Sequence, residues 1–344
     1  MQLYNKLSAE ERARIIDENS QERITLSFYK YFNLGNPSLF RDHLFISWSK
    51  IDVLGRIYVA NEGINAQLSV PKENIEKFKK SISEITPLNH IRLNIALEHY
   101  SKSFLKLTIK IKEKIVADGL NENTFDVTKI GEHLDAERFN QMLEDKNTIC
   151  IDMRNHYESE IGFFKGAIKP DVDTFRESLE VIDRELEKNG KEKNYLMYCT
   201  GGIRCEKASA YLKHKGINNV FQLEGGIIEY TRQVNEKDLK NNFLGKNFVF
   251  DERRGERISD DIVSNCHQCG NPCDSHINCI NESCHLLFIQ CEDCREKMNS
   301  CCSIECMEII KLSYEEQKSL RKGKHNSNKI FKKGRSSKLK FKIN

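Results

Sequence analysis

The chain reads as a multidomain protein, α+β at its start and α/β in its middle, that ends in a cysteine-rich module. Three observations lead there. Between Ile24 and Ile115 the apolar patterning follows the order β-α-β-β-α-β, that of a ferredoxin-like domain. From Thr148 to about Gln233 strand-like apolar runs alternate with helix-like ones, as a mainly parallel sheet with crossover helices requires. Ten of the thirteen cysteines then fall between Cys266 and Cys306. A length of 344 residues accommodates two or three domains.

Residues 1–20 read as a short helical or frayed lead-in. The first domain, 21–116, is built from a strand at Ile24–Tyr31, a helix near Pro37–Ile51, strands at Gly55–Ala60 and Ile64–Val70, a helix across Lys72–Ile85, and a last strand at Phe104–Ile111. Pro71 suits the start of the second helix, and Gly63 suits the turn between two strands. The last strand alternates apolar and polar residues with period two, as in a sheet wetted on one face. A polar linker covers 117–133. The second domain, 134–234, opens with a helix at Leu134–Leu143 and a buried strand at Thr148–Asp152. A charged extension fills 235–262, the cysteine-rich module 263–310, and a basic tail 311–344, in which one helix over 307–320 is followed by chain expected to be disordered.

Composition narrows the function classes. The chain is 31% charged and 39% apolar, with no run of about 18 apolar residues and no apolar segment behind Met1. A membrane span and a secretory signal are therefore not expected, and a cytoplasmic setting is. Residues 317–344 carry 11 Lys/Arg and no Asp/Glu, while the other 316 residues hold 43 basic and 51 acidic side chains, a net of −8. An acidic body with a basic tail suits a polyanionic partner, with a solubilising end as the equal alternative. Nothing in the residues points to a protein partner.

Ten clustered thiols without a signal peptide indicate metal rather than disulfides. Cys266-His267-Gln268-Cys269 and Cys291-Glu292-Asp293-Cys294 are two Cys-x-x-Cys knuckles. Two structural zinc sites of four thiolates are expected, since so small a segment cannot build a core alone. The favoured assignment is Cys266, Cys269, Cys279 and Cys284 for one, and Cys291, Cys294, Cys302 and Cys306 for the other, with interleaved pairing and exchange of Cys301 for Cys302 left open. An iron–sulfur cluster and a labile disulfide set are the lesser readings.

The stretch Cys199-Thr200-Gly201-Gly202-Ile203-Arg204-Cys205 carries the chemistry. It follows the apolar run Tyr195–Tyr198, read as a buried strand, and precedes a helix beginning near Glu206. Two glycines let the backbone curl so that N–H groups and the positive end of a helix converge on Cys199. A thiol held there is driven toward thiolate, the nucleophilic form. Arg204 adds a fixed charge and donors for an oxyanion. Cys205 is read either as a second redox thiol or as a small buried residue facing away, the former slightly preferred.

The second domain resembles a rhodanese domain. The opening piece is Ile151-Asp152-Met153-Arg154-Asn155-His156-Tyr157-Glu158, followed by Gly162 and Gly166-Ala167-Ile168. The middle piece is the cysteine loop, and the closing piece is Val220–Ile227 with Gly225-Gly226. Asp152, Arg154 and Glu158 are expected to pin loops rather than to react. In that family a six-residue loop, here Cys199 to Arg204, suits sulfur chemistry, and one residue more suits phosphate or arsenate. A typical sulfurtransferase has no second thiol at the position of Cys205.

With the flanks included (Tyr29–Phe32, Gly55–Asn65, Gly245–Arg254 and the cysteine block), the chain resembles the bacterial tRNA uridine(34) hydroxylase family from about residue 20 to 306. The resemblance implies an acylphosphatase-like first domain, tRNA as partner, molecular oxygen as substrate and formation of 5-hydroxyuridine at the wobble position. In that setting Cys199 either adds to uracil C6 or carries a persulfide that activates dioxygen, with Arg204 and the loop N–H groups steadying the oxyanion. Tyr29, Tyr31 or Tyr58 could stack an unpaired base, although half-buried packing is the plainer expectation for each. Glu62 and Asn65 are read first as turn residues. No flavin or nicotinamide fingerprint and no His/His/carboxylate set for iron is visible. The competing functions are a rhodanese-type sulfurtransferase or persulfide carrier and a non-catalytic RNA-binding adaptor. The tail and metal module argue against the first as sole activity, and the intact loop against the second.

Overall fold

The computed structural model describes residues 3–120, 125–321 and 339. The chain forms two compact units. One comprises the described residues within 1–154, 166–241 and 249–253, and the other those within 155–165, 242–248 and 254–344. In the first unit α1 (Ala9–Glu18) begins at Ser8, whose hydroxyl accepts the Glu11 N–H while the Glu11 carboxylate accepts the Ser8 N–H. Then follow β1 (Arg23–Tyr31), α2 (Pro37–Ser49), β2 (Leu54–Ala60), β3 (Gly63–Pro71), α3 (Ile75–Ser83), β4 (Asn94–Ile95) and β5 (Leu107–Ile111). The sheet order is β4-β1-β3-β2-β5. Alternation gives it two unlike faces. Leu26, Phe28, Ile57, Val59, Ala66 and Leu68 face Trp48 of α2 and Phe78 of α3 in one core. Ser27, Tyr29, Asn65 and Gln67 occupy the intervening positions.

The ferredoxin-like order holds, with one correction. The fourth strand of the motif is the two-residue β4, antiparallel to β1. The strand expected to close it, at Phe104–Ile111, is shorter (β5) and adds a fifth position beside β2, in parallel. Only two residues of β4 pair with β1, too few for any periodicity to be read from them.

The same unit continues with β6 (Glu132–Leu134), α4 (Ala136–Glu144) and β7 (Thr148–Asp152). Here α5 (His156–Ser159) and β8 (Gly162–Phe164) depart into the second unit. The chain returns as α6 (Phe175–Asn189), β9 (Asn194–Tyr198), α7 (Ile203–His214), β10 (Val220–Leu223) and α8 (Gly226–Lys237). The sheet, β6-β10-β9-β7, is parallel throughout. Every residue of α7 from Arg204 to Leu212 is buried. One side packs on the parallel sheet, and the other meets the polar face of the first sheet. There the Tyr29 hydroxyl donates to Glu206 at 3.0 Å, and Lys207 reaches Glu62 and Asp118, each at 2.9 Å. The described part of the expected polar linker is partly interior: Asp118 is 2% exposed, and Phe125 packs edge-on to Tyr211.

In the second unit β8, β11 (Phe243–Asn247) and β12 (Glu256–Arg257) form a three-stranded sheet, and β13 (His276–Asn278) pairs with β14 (Leu287–Ile289) as a hairpin. Three helices follow: α9 (Glu292–Lys297), α10 (Ile304–Ile310) and α11 (Tyr314–Arg321). The single helix expected over 307–320 is thus broken, because Ser313 caps a new one and exchanges hydrogen bonds with Glu316. The basic tail beyond Arg321, Leu339 apart, lies outside the described residues.

Candidate functional site

Cys199 stands at the C-terminal end of β9 with no exposed surface. The loop after it is shaped by Gly202, whose φ of +102° is open to glycine, and whose N–H donates to the Cys199 sulfur at 3.1 Å. The start of α8 clamps the same loop: Ile227 N–H donates to the Cys199 carbonyl at 3.1 Å, and Ile228 N–H to that of Thr200 at 3.4 Å. A Cβ at Gly226 would lie 2.5 and 2.6 Å from those two carbonyl oxygens, so only glycine allows the approach.

Two opposed effects set the charge of Cys199. Burial pushes the thiol up. The hydrogen bond from the Cys205 thiol, the Arg204 charge and the N–H groups of Arg204 and Gly202 pull it down further, from the ordinary 9.0 to about 6. Cys205 does not face away. It is fully buried, and burial together with the neighbouring thiolate holds its own pKa well above the ordinary value, so it acts as the protonated donor of the pair. The Arg204 guanidinium sits 5.9 Å from the centre of the Phe250 ring.

The support around the loop follows the structural roles expected. Arg154 and Asp152, both without exposed side-chain surface, form a two-pronged ion pair at 2.9 and 2.6 Å at the end of β7, beside β9. In the second unit the Glu158 carboxylate accepts the Asn155 N–H at 3.1 Å and caps α5. Glu62 accepts the Ile115 N–H at 2.7 Å. Tyr29, Tyr31 and Tyr58 are half-buried. Tyr29 binds Glu206, which His133 also meets at 3.1 Å, and the Tyr31 hydroxyl donates to the Ile203 carbonyl at 3.4 Å.

Several contributors, Tyr29 apart, carried no sequence signal. Asn94 donates its Nδ2 to the Gly201 carbonyl at 3.3 Å. A Cβ at Gly201 would come within 3.9 Å of the Ser27 hydroxyl, and one at Gly202 within 2.7 Å of the Tyr29 hydroxyl. These residues are roughly 107 to 174 positions from the loop, so only the docking of the two sheets around α7 reveals them.

The eight cysteines named from spacing gather into two groups in the second unit, but in the interleaved pairing. Cys266, Cys269, Cys291 and Cys294 form one group, and Cys279, Cys284, Cys302 and Cys306 the other. The β13–β14 hairpin is the reason. It carries Cys279 and Cys284 out to its turn and returns the chain to the first knuckle, where the His267 N–H bonds the Ile289 carbonyl at 2.9 Å and Cys291 follows. Sulfur pairs stand at 3.6 Å (Cys269–Cys291), 3.6 Å (Cys284–Cys302) and 3.7 Å (Cys302–Cys306). A tetrahedron with Zn–S bonds of about 2.3 Å has edges of about 3.8 Å, so both groups have the dimensions of a four-thiolate metal site. Cys273 and Cys301 are left outside the sets.

No helix among the described residues is long and apolar enough to cross a membrane. Three family models match the chain: a UPF0176 acylphosphatase-like domain over residues 23–115, a rhodanese-like domain over 135–233, and a rhodanese C-terminal domain over 244–307. Curated relatives match over nearly their whole length. The tRNA uridine(34) hydroxylase of Photorhabdus laumondii is 53% identical over 335 residues, 97% of this chain and 95% of that protein. That of Leptospira interrogans is 53% identical over 97% of this chain and 90% of the relative, and that of Pectobacterium carotovorum 52% over 97% and 94%. With identity above half over 97% of its length, the chain belongs to the tRNA uridine(34) hydroxylase family.

Proposed function

We propose that this chain hydroxylates C5 of the uridine at position 34 of tRNA, with molecular oxygen as substrate and Cys199 as the reacting group. The observation that carries this reading is a buried thiol drawn down to about pH 6 at a strand end, inside a chain matched throughout by hydroxylases of that name. Uracil C5 needs activation before it meets oxygen. Addition of the Cys199 thiolate at C6 moves electron density to C5 and O4 as an enolate. The Arg204 guanidinium and the loop N–H groups stabilise the developing charge. Loss of the C5 proton and expulsion of the thiolate restore the ring. One oxygen atom enters at C5, and the other leaves as water with two electrons and two protons, so a two-electron reductant takes part. Cys205 supplies the hydrogen bond that keeps Cys199 ionised.

Zinc is the ion that suits both cysteine groups; bound there it supplies cross-links in place of a core. Nine Lys/Arg between 322 and 344 supply phosphate contacts. A tRNA substrate sets the work in the cytoplasm.

The test is mass spectrometry of tRNA nucleosides from cells lacking the gene, complemented with wild type or Cys199→Ala. 5-Hydroxyuridine and its derivatives return with wild type and not with the variant. Their unchanged level in the deletion strain would sink the reading. The six-residue loop also suits a persulfide, and thiosulfate:cyanide turnover by the purified protein measures that second reading.

A further inference from the structure

A row of polar side chains crosses the first sheet where the cysteine loop rests on it. Ser27 of β1 stands directly opposite Gln67 of β3 on one side and Asn94 of β4 on the other. Residues opposed in register point to the same face, with neighbouring strands about 4.8 Å apart. All three side chains line a cavity of about 50 Å³, together with Thr200 (the residue after Cys199), Phe104 and Phe250.

Asn94 is only 3% exposed, and its Oδ1 has no hydrogen-bond partner among the described residues. A buried acceptor without a partner is costly and marks a place where something else binds. Its orientation is also fixed. Nδ2 must be the atom facing the Gly201 carbonyl, since a carbonyl oxygen accepts only from a donor. Asn94 therefore cannot turn its amide to present N–H groups to the cavity.

We infer that Asn94, Ser27 and Gln67 form a subsite that reads the polar edge of a uracil ring, an inference that rests on the uridine reading above. Asn94 Oδ1 accepts the N3–H of uracil. The Ser27 hydroxyl and the Gln67 amide donate to the neighbouring carbonyl, whose two lone pairs take both. Cytosine places an acceptor at N3, opposite an oxygen that cannot turn away, and is rejected. A cavity of this size holds a few waters, so the edge of the base replaces them and its ring meets Phe104 and Phe250 of the same lining. The specificity is thus enforced by the catalytic loop itself, because the Gly201 carbonyl locks Asn94.

The test changes the substrate, so folding does not enter. Full-length enzyme is given tRNA transcripts with uridine, 3-methyluridine or cytidine at position 34, and binding and hydroxylation are measured. Uridine is bound and hydroxylated, and 3-methyluridine and cytidine bind at least tenfold more weakly. Ser27→Ala, which leaves the bond to Gly201 intact, weakens binding of uridine and keeps the preference over 3-methyluridine. Asn94→Ala abolishes that preference. Equal binding of uridine and 3-methyluridine by wild type, alongside hydroxylation of uridine, would overturn the subsite and leave the function standing. Absence of hydroxylation on uridine itself would overturn the function instead.

Discussion

Replacing Cys205 by alanine tests whether the low pKa of Cys199 comes from the hydrogen bond inside the pair. That bond is the largest influence favouring the thiolate, ahead of Arg204 and the loop N–H groups, and all of them act against burial. A hydrogen bond to a charged group is worth about 1.5–3 kcal/mol. At about 1.4 kcal/mol per pH unit, its loss raises the Cys199 midpoint by about one to two pH units. A thiol of pKa about 6 is roughly nine-tenths ionised at pH 7; in the variant the fraction falls to roughly one-tenth to one-half. The assay is alkylation with iodoacetamide between pH 5 and 9, followed peptide by peptide. Trypsin cleaves after Lys193, Arg204 and Lys207, so Cys199 and Cys205 fall in separate peptides, and the metal-site thiols in others. Because thiolate is the reactive form, labelling and hydroxylation both rise with pH through about 6 in the wild type and level off above it. In Cys205→Ala the rising limb moves alkaline by the stated amount, and in Cys205→Ser, which keeps a donor, it moves less. A Cys205→Ala limb still centred near 6 would refute the reasoning.

Other consequences can be checked in the same preparations. Gly226→Ala places a Cβ against the Cys199 and Thr200 carbonyls at a φ of +67°, so hydroxylation falls at least tenfold, with a loss of melting temperature of a few degrees. Metal analysis of protein purified without added zinc gives two zinc atoms per chain. Cys291→Ser and Cys302→Ser each remove one, whereas Cys273→Ser removes none. Lys207→Met strips the counter-charge from Glu62, leaves Asp118 with Lys114 alone, and lowers stability by about 3 kcal/mol, read by urea unfolding.

What was legible in the sequence was local. The strand, glycine loop and helix around Cys199 are contiguous, and the ion pair of Asp152 and Arg154 spans two residues, so adjacent chain carries the signal. Cysteine identities were legible because knuckle spacing is local, but their pairing was not, since the β13–β14 hairpin decides which knuckle meets which. Two-residue β4 escaped because it offers no period to read, and with it went Asn94. Tyr29 was recognisable as a half-buried aromatic, yet its partner Glu206 lies 177 residues away and no local pattern encodes that meeting.

The Lys207 ammonium, held by Glu62 at 2.9 Å, Asp118 at 2.9 Å and the Val116 carbonyl at 2.8 Å, sits one turn beyond the reactive loop on the same helix. All three acceptors precede the parallel-sheet domain in sequence, Glu62 and Val116 in the first domain and Asp118 in the linker. Cut out at its apparent boundaries, the rhodanese portion would keep Cys199 but carry a bare ammonium on an unroofed helix. The parallel-sheet domain is therefore not a transplantable part. Grafting it elsewhere, or trimming the N-terminal half to seek a minimal enzyme, would cut through the ion cluster that fixes the helix behind Cys199.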